Sequence, residues 1–329
     1  MKQPEHQGAG WALHNSDCIE GMYAMPEASI DCAIFSPPFG DLFVYSDSER
    51  DLGNAGDGET FAQQYRFFAE ALTRVMRPGR IVCVHCTDLP ARKGKHGYIG
   101  LQDFSGDLIK AHTDAGLIYH GRTTIWKDPV VEMQRTKALG LLYKQIRKDS
   151  AMNRVGMPDY MLFFRAPGEN PDRIEHAAPG DTAAALPIAK KWLTEMHRLG
   201  LASATPSDAV LAEMMKHVEF DVYEWQRLAS PVWMNIQQGN VLNRMKAAGD
   251  ERHVCPLQLD VIENCLRLYS KPGDVVMDPF NGIGSTGYQA VKMGRRYLGF
   301  ELKPEYAAQA GKNLTEAERI CGDLFGAAA

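Results

Sequence analysis

Apolar positions along this chain follow two different periods. Short apolar runs such as IDCAIFS (30–36), IVCVHC (81–86) and VVMD (275–278) predict buried strands, and AGLIYHGRTTIW (115–126) and DYMLFFRAP (159–167) predict further strands. Between them, TFAQQYRFFAEALTRVMRPGR (60–80) places apolar residues at helical spacing and predicts a helix that stops at Pro78-Gly79. PLQLDVIENCLRLYSKPGD (256–274) predicts an amphipathic helix ended by Pro272-Gly273, and DCIEGMYAMP (17–26) a short helix with Asp17 at its start. VVMDPFNGIGSTGYQAVKMGRRYLGFEL (275–302) reads as strand, glycine turn, helix and strand. Strands alternating with helices argue for an α/β fold with a doubly wound, mostly parallel sheet. APGENPDRIEHAAPGDTAAALP (166–187) reads as a linker, the stretch 188–230 as mostly helical, and the polar, glycine-rich 40–60 as a loop. No internal repeat is present.

Composition adds few constraints. A chain of 329 residues has ample core for one large domain or two smaller ones, and 45% hydrophobic with 23% charged residues is ordinary for a globular protein. The N-terminus lacks an apolar signal-peptide core and no apolar run is long enough to span a membrane, so a cytoplasmic protein is expected. Seven scattered cysteines fit a reduced compartment better than a disulfide framework.

The net charge of −5 does not advertise a nucleic-acid partner, but the charge is uneven. Residues 122–154 hold eight Lys/Arg against three acids, whereas 41–59 hold six acids and one Arg. The basic stretch is a candidate phosphate-facing surface. Within it, KALGLLYKQIRKDS (137–150) is a candidate helix. Trp126, Trp225 and Trp233 are expected to be packed.

Two turns carry candidate chemistry. GIGSTG matches GxGxxG with Gly282, Gly284 and Gly287, and Glu301 ends the next strand, 23 residues beyond Asp278. That pattern suits a nucleotide-binding βαβ unit, and a nicotinamide-dependent dehydrogenase would use it equally. Asp278 discriminates, because a pyrophosphate would face a carboxylate in a low-dielectric crevice. A ligand with an ammonium group would be attracted there. S-adenosyl-L-methionine carries a ribose, an adenine and a cationic amino-acid end, which suits acids at both strand tips. The plainer role for Asp278 is to cap the following helix.

The second turn, Ser36-Pro37-Pro38-Phe39, also follows a buried strand. In a parallel sheet both turns lie on one edge, where ligands bind at the topological switch point. Proline removes an amide hydrogen and fixes φ, so the turn is rigid and its carbonyls are free acceptors. The Ser36 hydroxyl and Pro37 carbonyl could accept from the exocyclic NH₂ of a nucleobase and aim its nitrogen at a methyl donor. Phe39 could stack on a base removed from the duplex. A proline-rich turn with a core phenylalanine is the plainer reading of this motif alone.

Together, SPPF, VVMDPFNGIGSTG and YLGFEL resemble the amino-group DNA methyltransferases, which methylate N4 of cytosine or N6 of adenine. The resemblance covers 11–165 and 230–312, and its motif order is similar to the β group of these enzymes. It implies a Rossmann-like methyltransferase fold in three parts: a catalytic half (11–125), central strands with a partly helical target-recognition insertion (126–230), and a cofactor-binding half (231–315). It implies S-adenosyl-L-methionine as cofactor, double-stranded DNA as partner and base flipping, and it allows a homodimer and a cognate restriction endonuclease.

Carried over residue by residue, Ser36, Pro37, Pro38 and Phe39 form the amino-group turn. Asp278, Phe280, Gly282 and Gly284 line the methionine end, Glu301 holds the ribose, and Pro279, Ser285 and Thr286 are further cofactor-binding positions. Asp17 and Cys18 match positions near the adenine, and His253, Pro256 and Gln258 a motif near the methionine carboxylate. Ser285 departs from the more usual threonine but keeps a hydroxyl. The acidic 41–59 segment falls where a cofactor cover would lie.

Arg135, Lys137, Lys144, Arg147 and Lys148 are the candidate DNA-phosphate contacts. In this family serine at the first turn position is commoner among N4-cytosine enzymes and aspartate among N6-adenine enzymes, so N4-cytosine is favoured over N6-adenine. Cytosine-C5 chemistry needs a cysteine, usually presented after proline, and the chain has no Pro-Cys pair. CVHC (83–86) has no second cluster to complete a four-ligand zinc site, so no metal is expected. RNA, a protein glutamine amide, or a DNA-binding module without turnover are further readings.

Overall fold

The computed structural model describes residues 3–39, 58–91, 93–203, 205–242 and 256–325. His253 and almost all of the acidic 41–59 segment lie outside the described residues. β1 (His6–Gln7) and β2 (Trp11–His14) lead into α1 (Cys18–Tyr23) and β3 (Ile30–Phe35). α2 (Gly58–Val75) runs directly into β4 (Met76–Cys86). β5 (Leu89–Ala91), α3 (Lys93–His96) and β6 (Gly100–Gln102) form a small excursion before α4 (Phe104–Asp114) and β7 (Ile118–Ile125). α5 (Pro129–Thr136) and α6 (Gln145–Lys148) precede β8 (Asp159–Arg165). Then come α7 (Thr182–Arg198), α8 (Asp208–Val218), α9 (Val222–Leu228) and β9 (Val232–Trp233). α10 (Leu259–Tyr269), β10 (Val275–Asp278), α11 (Ser285–Lys292), β11 (Arg296–Phe300) and α12 (Pro304–Phe325) follow.

Nine strands form one sheet in the order β1-β2-β11-β10-β3-β4-β8-β7-β9. β2, β11, β10, β3 and β4 are mutually parallel, β8 is antiparallel to both of its neighbours, and β7 pairs β9 in parallel. This is the expected α/β, mostly parallel architecture. β10 and β3 are neighbours, with Val276 opposite Cys32 and Met277 opposite Ala33, although they lie far apart in sequence. The chain winds outward in opposite directions from this pair, which makes it the switch point.

β3 is buried along its whole length because both faces of the sheet are covered. Cys32 and Ile34 join the core beneath α10, α11 and α12, whereas Ala33 and Phe35 join the one beneath α1, α2 and α4. Alternate residues therefore serve opposite cores, as a strand period of two requires. A third cluster packs α7 against α8 and reaches Cys321 of α12.

Several boundaries differ from the sequence expectation. α2 ends at Val75, because Met76 already pairs with Ile30 and the strand takes over before Pro78-Gly79. The 166–187 stretch gives way to α7 at Thr182, where the Asp181 side chain caps the Ala184 N–H and an alanine run carries the helix through Pro187. KALGLLYKQIRKDS is not one helix. Leu139–Leu141 is a 3₁₀ turn, the Gly140 carbonyl accepts from the Arg154 N–H, and only Gln145–Lys148 forms an α-turn before extended Asp149. Trp233 is packed as expected, but Trp126 and Trp225 are exposed.

Candidate active site

The C-terminal tips of the parallel strands and the adjoining end of β8 carry a row of polar groups. Across the sheet the row runs Asn15 after β2, Glu301 after β11, Asp278 on β10, Ser36 after β3, His85 on β4 and Asp159 on β8. The topology brings Ser36 and Asp278 to adjacent tips.

The β10 turn is built by its glycines. Gly284, the N-cap of α11, has φ +84°, and a Cβ there would lie 3.2 Å from Ala310 Cβ. A Cβ on Gly287 would fall 2.5 Å from Tyr297 Cε1, so this glycine lets α11 sit close on β11. Asn281 locks the loop through its own contacts: its N–H donates to the Phe300 carbonyl and its Oδ1 accepts from the Tyr297 hydroxyl at 2.7 Å.

Asp278 is 5% exposed. Its Oδ1 accepts from the Phe280 N–H at 2.9 Å, so it braces the turn. Burial pushes its carboxyl up to about 7, against the opposing pull of the Phe280 N–H and the Thr286 hydroxyl. Among the described residues no cation pairs with it. Glu301 Oε2 accepts from the Gly282 N–H at 2.7 Å, and Oε1 accepts from the Lys303 N–H at 2.8 Å. Ser285 and Thr286 are buried at the start of α11, Pro279 is buried, and Phe280 is half-buried with its ring 4.8 Å from that of Phe68.

Asp17 is the N-cap of α1, accepting from the Ile19 and Glu20 N–H groups. Cys18 beside it is buried, and burial together with Asp17 and Glu301 pushes its thiol well above its usual range. Asn15 donates to the Glu301 and Leu302 carbonyls and ties this corner to β11. Gln258 occupies the position before α10 without a side-chain bond to the helix N–H groups. Its Nε2 donates to Gln238 Oε1 at 3.0 Å, while its buried Oε1 has no hydrogen-bond partner among the described residues. The fit to a cationic, hydrogen-bonding cofactor is therefore sound. Asp278 is an unpaired buried acid, Gln258 Oε1 is an unsatisfied acceptor, and the Gly284 turn brings backbone close.

At the β3 tip, Pro37 and Pro38 are buried and Ser36 is half-buried. Phe39 is 3% exposed, its ring edge-on to His85 and Phe104 at 6.3 and 6.2 Å, so stacking on a base would first require uncovering it. Ser36 Oγ lies 3.1 Å from His85 Nδ1. His85 Nε2 lies 3.3 Å from Asp159 Oδ2, an oblique approach that leaves the nitrogen without a well-aligned hydrogen bond. Lys127 Nζ meets Asp159 Oδ1 at 2.6 Å. Burial alone would raise the Asp159 carboxyl, but its contacts with His85 and Lys127 outweigh that and hold it at about 2.

His85 and Asp159 were not legible as site residues in the sequence. His85 reads there as one residue of CVHC, and the partner strand that supplies Asp159 pairs antiparallel, with a register no local motif announces. Cys83 and Cys86 fall in opposite cores, so they cannot chelate together.

The segment between β7 and β8 leaves the sheet after Ile125, opposite Asp159, and returns there, so it projects from the same edge as the site. Lys137, Lys144, Arg147 and Lys148 are exposed on it. Arg135 is exposed as well but is held by Glu132 through two bonds of 3.1 and 2.8 Å.

Comparison with known proteins identifies this arrangement. Residues 30–312 match the DNA methylase family of N6 and N4 enzymes. The type II methyltransferase M1.MboII of Moraxella bovis is 39% identical over 313 residues, 93% of this chain and 97% of that protein. M.HinfI of Haemophilus influenzae is 51% identical over a shorter stretch of 55 residues, 17% of this chain and 15% of that protein. Among solved structures, a DNA modification methylase of Thermus thermophilus in complex with S-adenosyl-L-methionine has a TM-score of 0.61 at 20% identity, covering 93% of each chain. The cytosine-N4-specific PvuII DNA methyltransferase has a TM-score of 0.55 at 16% identity, covering 99% of this chain and 96% of that one. The chain belongs to the S-adenosyl-L-methionine-dependent amino-group DNA methyltransferases, and the dehydrogenase reading of the glycine turn falls away. No described helix is long and apolar enough to cross a membrane.

Proposed function

We propose that this enzyme methylates the exocyclic amino group of a base flipped out of duplex DNA, N4 of cytosine rather than N6 of adenine. The observation that carries the reading is the juxtaposition of Ser36 and Asp278 at the tips of adjacent parallel strands. S-adenosyl-L-methionine supplies a methyl group on a positively charged sulfur. Asp278 would attract its ammonium end, the Glu301 carboxylate would accept from ribose hydroxyls, and Gln258 would offer its Oε1.

An exocyclic NH₂ is a poor nucleophile because its lone pair is delocalised into the ring. Ser36 Oγ and the Pro37 carbonyl accept its two hydrogens, which orients the nitrogen and opposes that delocalisation. No covalent bond to the base is required. The serine, a neutral acceptor where aspartate is the alternative, is the feature that favours cytosine. The basic segment between β7 and β8 projects from the same edge, and Lys137, Lys144, Arg147 and Lys148 would hold phosphates around the flipped base.

The test is Ser36→Ala. It should reduce methyl transfer to DNA by about 100-fold or more while cofactor affinity stays within about twofold of wild type. Full turnover in this variant would show that the turn does not perform this role.

A further inference from the structure

We propose that His85, which faces the Asp159–Lys127 ion pair, is a positioning residue that fixes the Ser36 hydroxyl as an acceptor facing the target amino group. The inference rests on the reading that Ser36 accepts a hydrogen from that group. A serine hydroxyl carries one hydrogen and two lone pairs. To accept from an NH₂ it must direct its own hydrogen elsewhere, or the hydroxyl can present a donor to a donor.

The structure supplies that outlet. His85 Nδ1 lies 3.1 Å from Ser36 Oγ, whereas the other acceptor in reach among the described residues, the His85 carbonyl, is at a marginal 3.4 Å. Whether Nδ1 can receive the hydrogen depends on the tautomer, which the group at Nε2 sets. That group is the Asp159 carboxylate, 3.3 Å away, and it favours a hydrogen on Nε2. Lys127 meets the other Asp159 oxygen at 2.6 Å, which leaves Oδ2 to face Nε2. Nδ1 is then a bare acceptor and Ser36 Oγ turns both lone pairs outward.

The four residues come from separate parts of the sheet edge: the ends of β3, β4 and β7 and the start of β8. His85, Asp159 and Lys127 are largely buried, with side-chain exposures of 7%, 5% and 15%. The ring is used in the opposite sense to that of a Ser-His-Asp hydrolase, with Nδ1 rather than Nε2 on the serine. Its task here is to orient the hydroxyl, with no nucleophile generated.

Asp159→Asn tests the chain. Lys127 should hold the amide oxygen, leaving the NH₂ to face Nε2 and forcing the hydrogen onto Nδ1, which reverses the Ser36 hydroxyl. The expected result is a fall in kcat of about 10- to 100-fold with KM for DNA and cofactor Kd little changed, together with a lower Tm because Lys127 loses its buried carboxylate partner. In a Ser36→Ala background the same change should cost nothing further. Should Asp159→Asn disturb folding, His85→Leu and His85→Asn make the same test. Asn can place its amide oxygen near the former Nδ1 position and should recover part of the kcat that Leu loses. Wild-type kcat in Asp159→Asn or His85→Leu, with Ser36→Ala inactive, would overturn the positioning role alone. Full turnover in Ser36→Ala would overturn the reading of the turn beneath it.

Discussion

Two buried aspartates bracket β10 and face opposite electrostatic conditions. Asp274, just before the strand, accepts from Arg80 Nη1 at 3.0 Å and from the Lys271 N–H at 3.0 Å. Arg80, 1% exposed, also lies 3.4 Å from both Asp31 and Asp172, while Arg77 bonds Asp31 and Lys271 bonds Asp172. Burial and the neighbouring Asp31 still push Asp274 up to about 6. Asp278, at the other end of the strand, has only an N–H and a hydroxyl against it, and burial pushes it to about 7. One edge of the sheet balances buried charge with buried charge. At the other, Asp278 has no cation among the described residues, at a cost in stability, and that is where the proposed cofactor site lies.

The largest effect that would sharpen this contrast comes from the balanced edge. Arg80→Met should destabilise the fold by about 3–5 kcal/mol, since it strands Asp274 in a low-dielectric interior and leaves Asp31 with Arg77 alone. Denaturant unfolding measures this, and a loss below about 1 kcal/mol would mean that the network is incidental.

Asp278→Asn should do the reverse. It should weaken cofactor binding by about 100-fold and raise thermal stability at pH 8. The sign follows from the raised folded-state pKa. The folded protein holds the Asp278 proton more tightly than the unfolded chain, so stability declines as pH rises from about 4 to about 7. The penalty at pH 8 is on the order of a few kcal/mol, and the amide escapes it. Near pH 5, only about one pH unit above the unfolded value, the variant should gain less than half as much. A variant that binds cofactor normally, or melts lower at pH 8, would break the comparison.

The smallest effect is the pH dependence of cofactor affinity in the unaltered enzyme. A bound ammonium favours ionised Asp278, so binding below about pH 7 must expel a proton. Affinity should climb by at most about tenfold per pH unit up to 7 and level off above it, and Asp278→Asn should be flat. Calorimetry at several pH values measures both, and a flat wild-type profile would remove Asp278 from the cofactor site.

Much of the active edge is legible in the sequence because its motifs are local. SPPF and DPFNGIG each follow an apolar run, and parallel strands must end on one edge, so their meeting can be inferred without coordinates. Gly284 is readable too, since only a tight strand-to-helix turn needs glycine at that spacing. What escapes is everything fixed by register. His85 gains its meaning from Asp159 through antiparallel pairing of β4 with β8, and Arg80 meets Asp274 across the intervening β3. The broken helix at 137–150 escapes for a related reason. Its apolar spacing favours a helix, but Gly140 is recruited by Arg154, a contact beyond the range of any periodicity.

The measurement that tests the central claim most directly is the identity of the methylated nucleoside. Purified enzyme, methyl-labelled S-adenosyl-L-methionine and duplex DNA would be incubated, the DNA digested to nucleosides and the products resolved by mass spectrometry. The expected product is N4-methylcytosine, absent with Ser36→Ala. N6-methyladenine would keep the site and its chemistry but overturn the choice of base. A label on carbon 5 of cytosine, or none in DNA at all, would contradict the account.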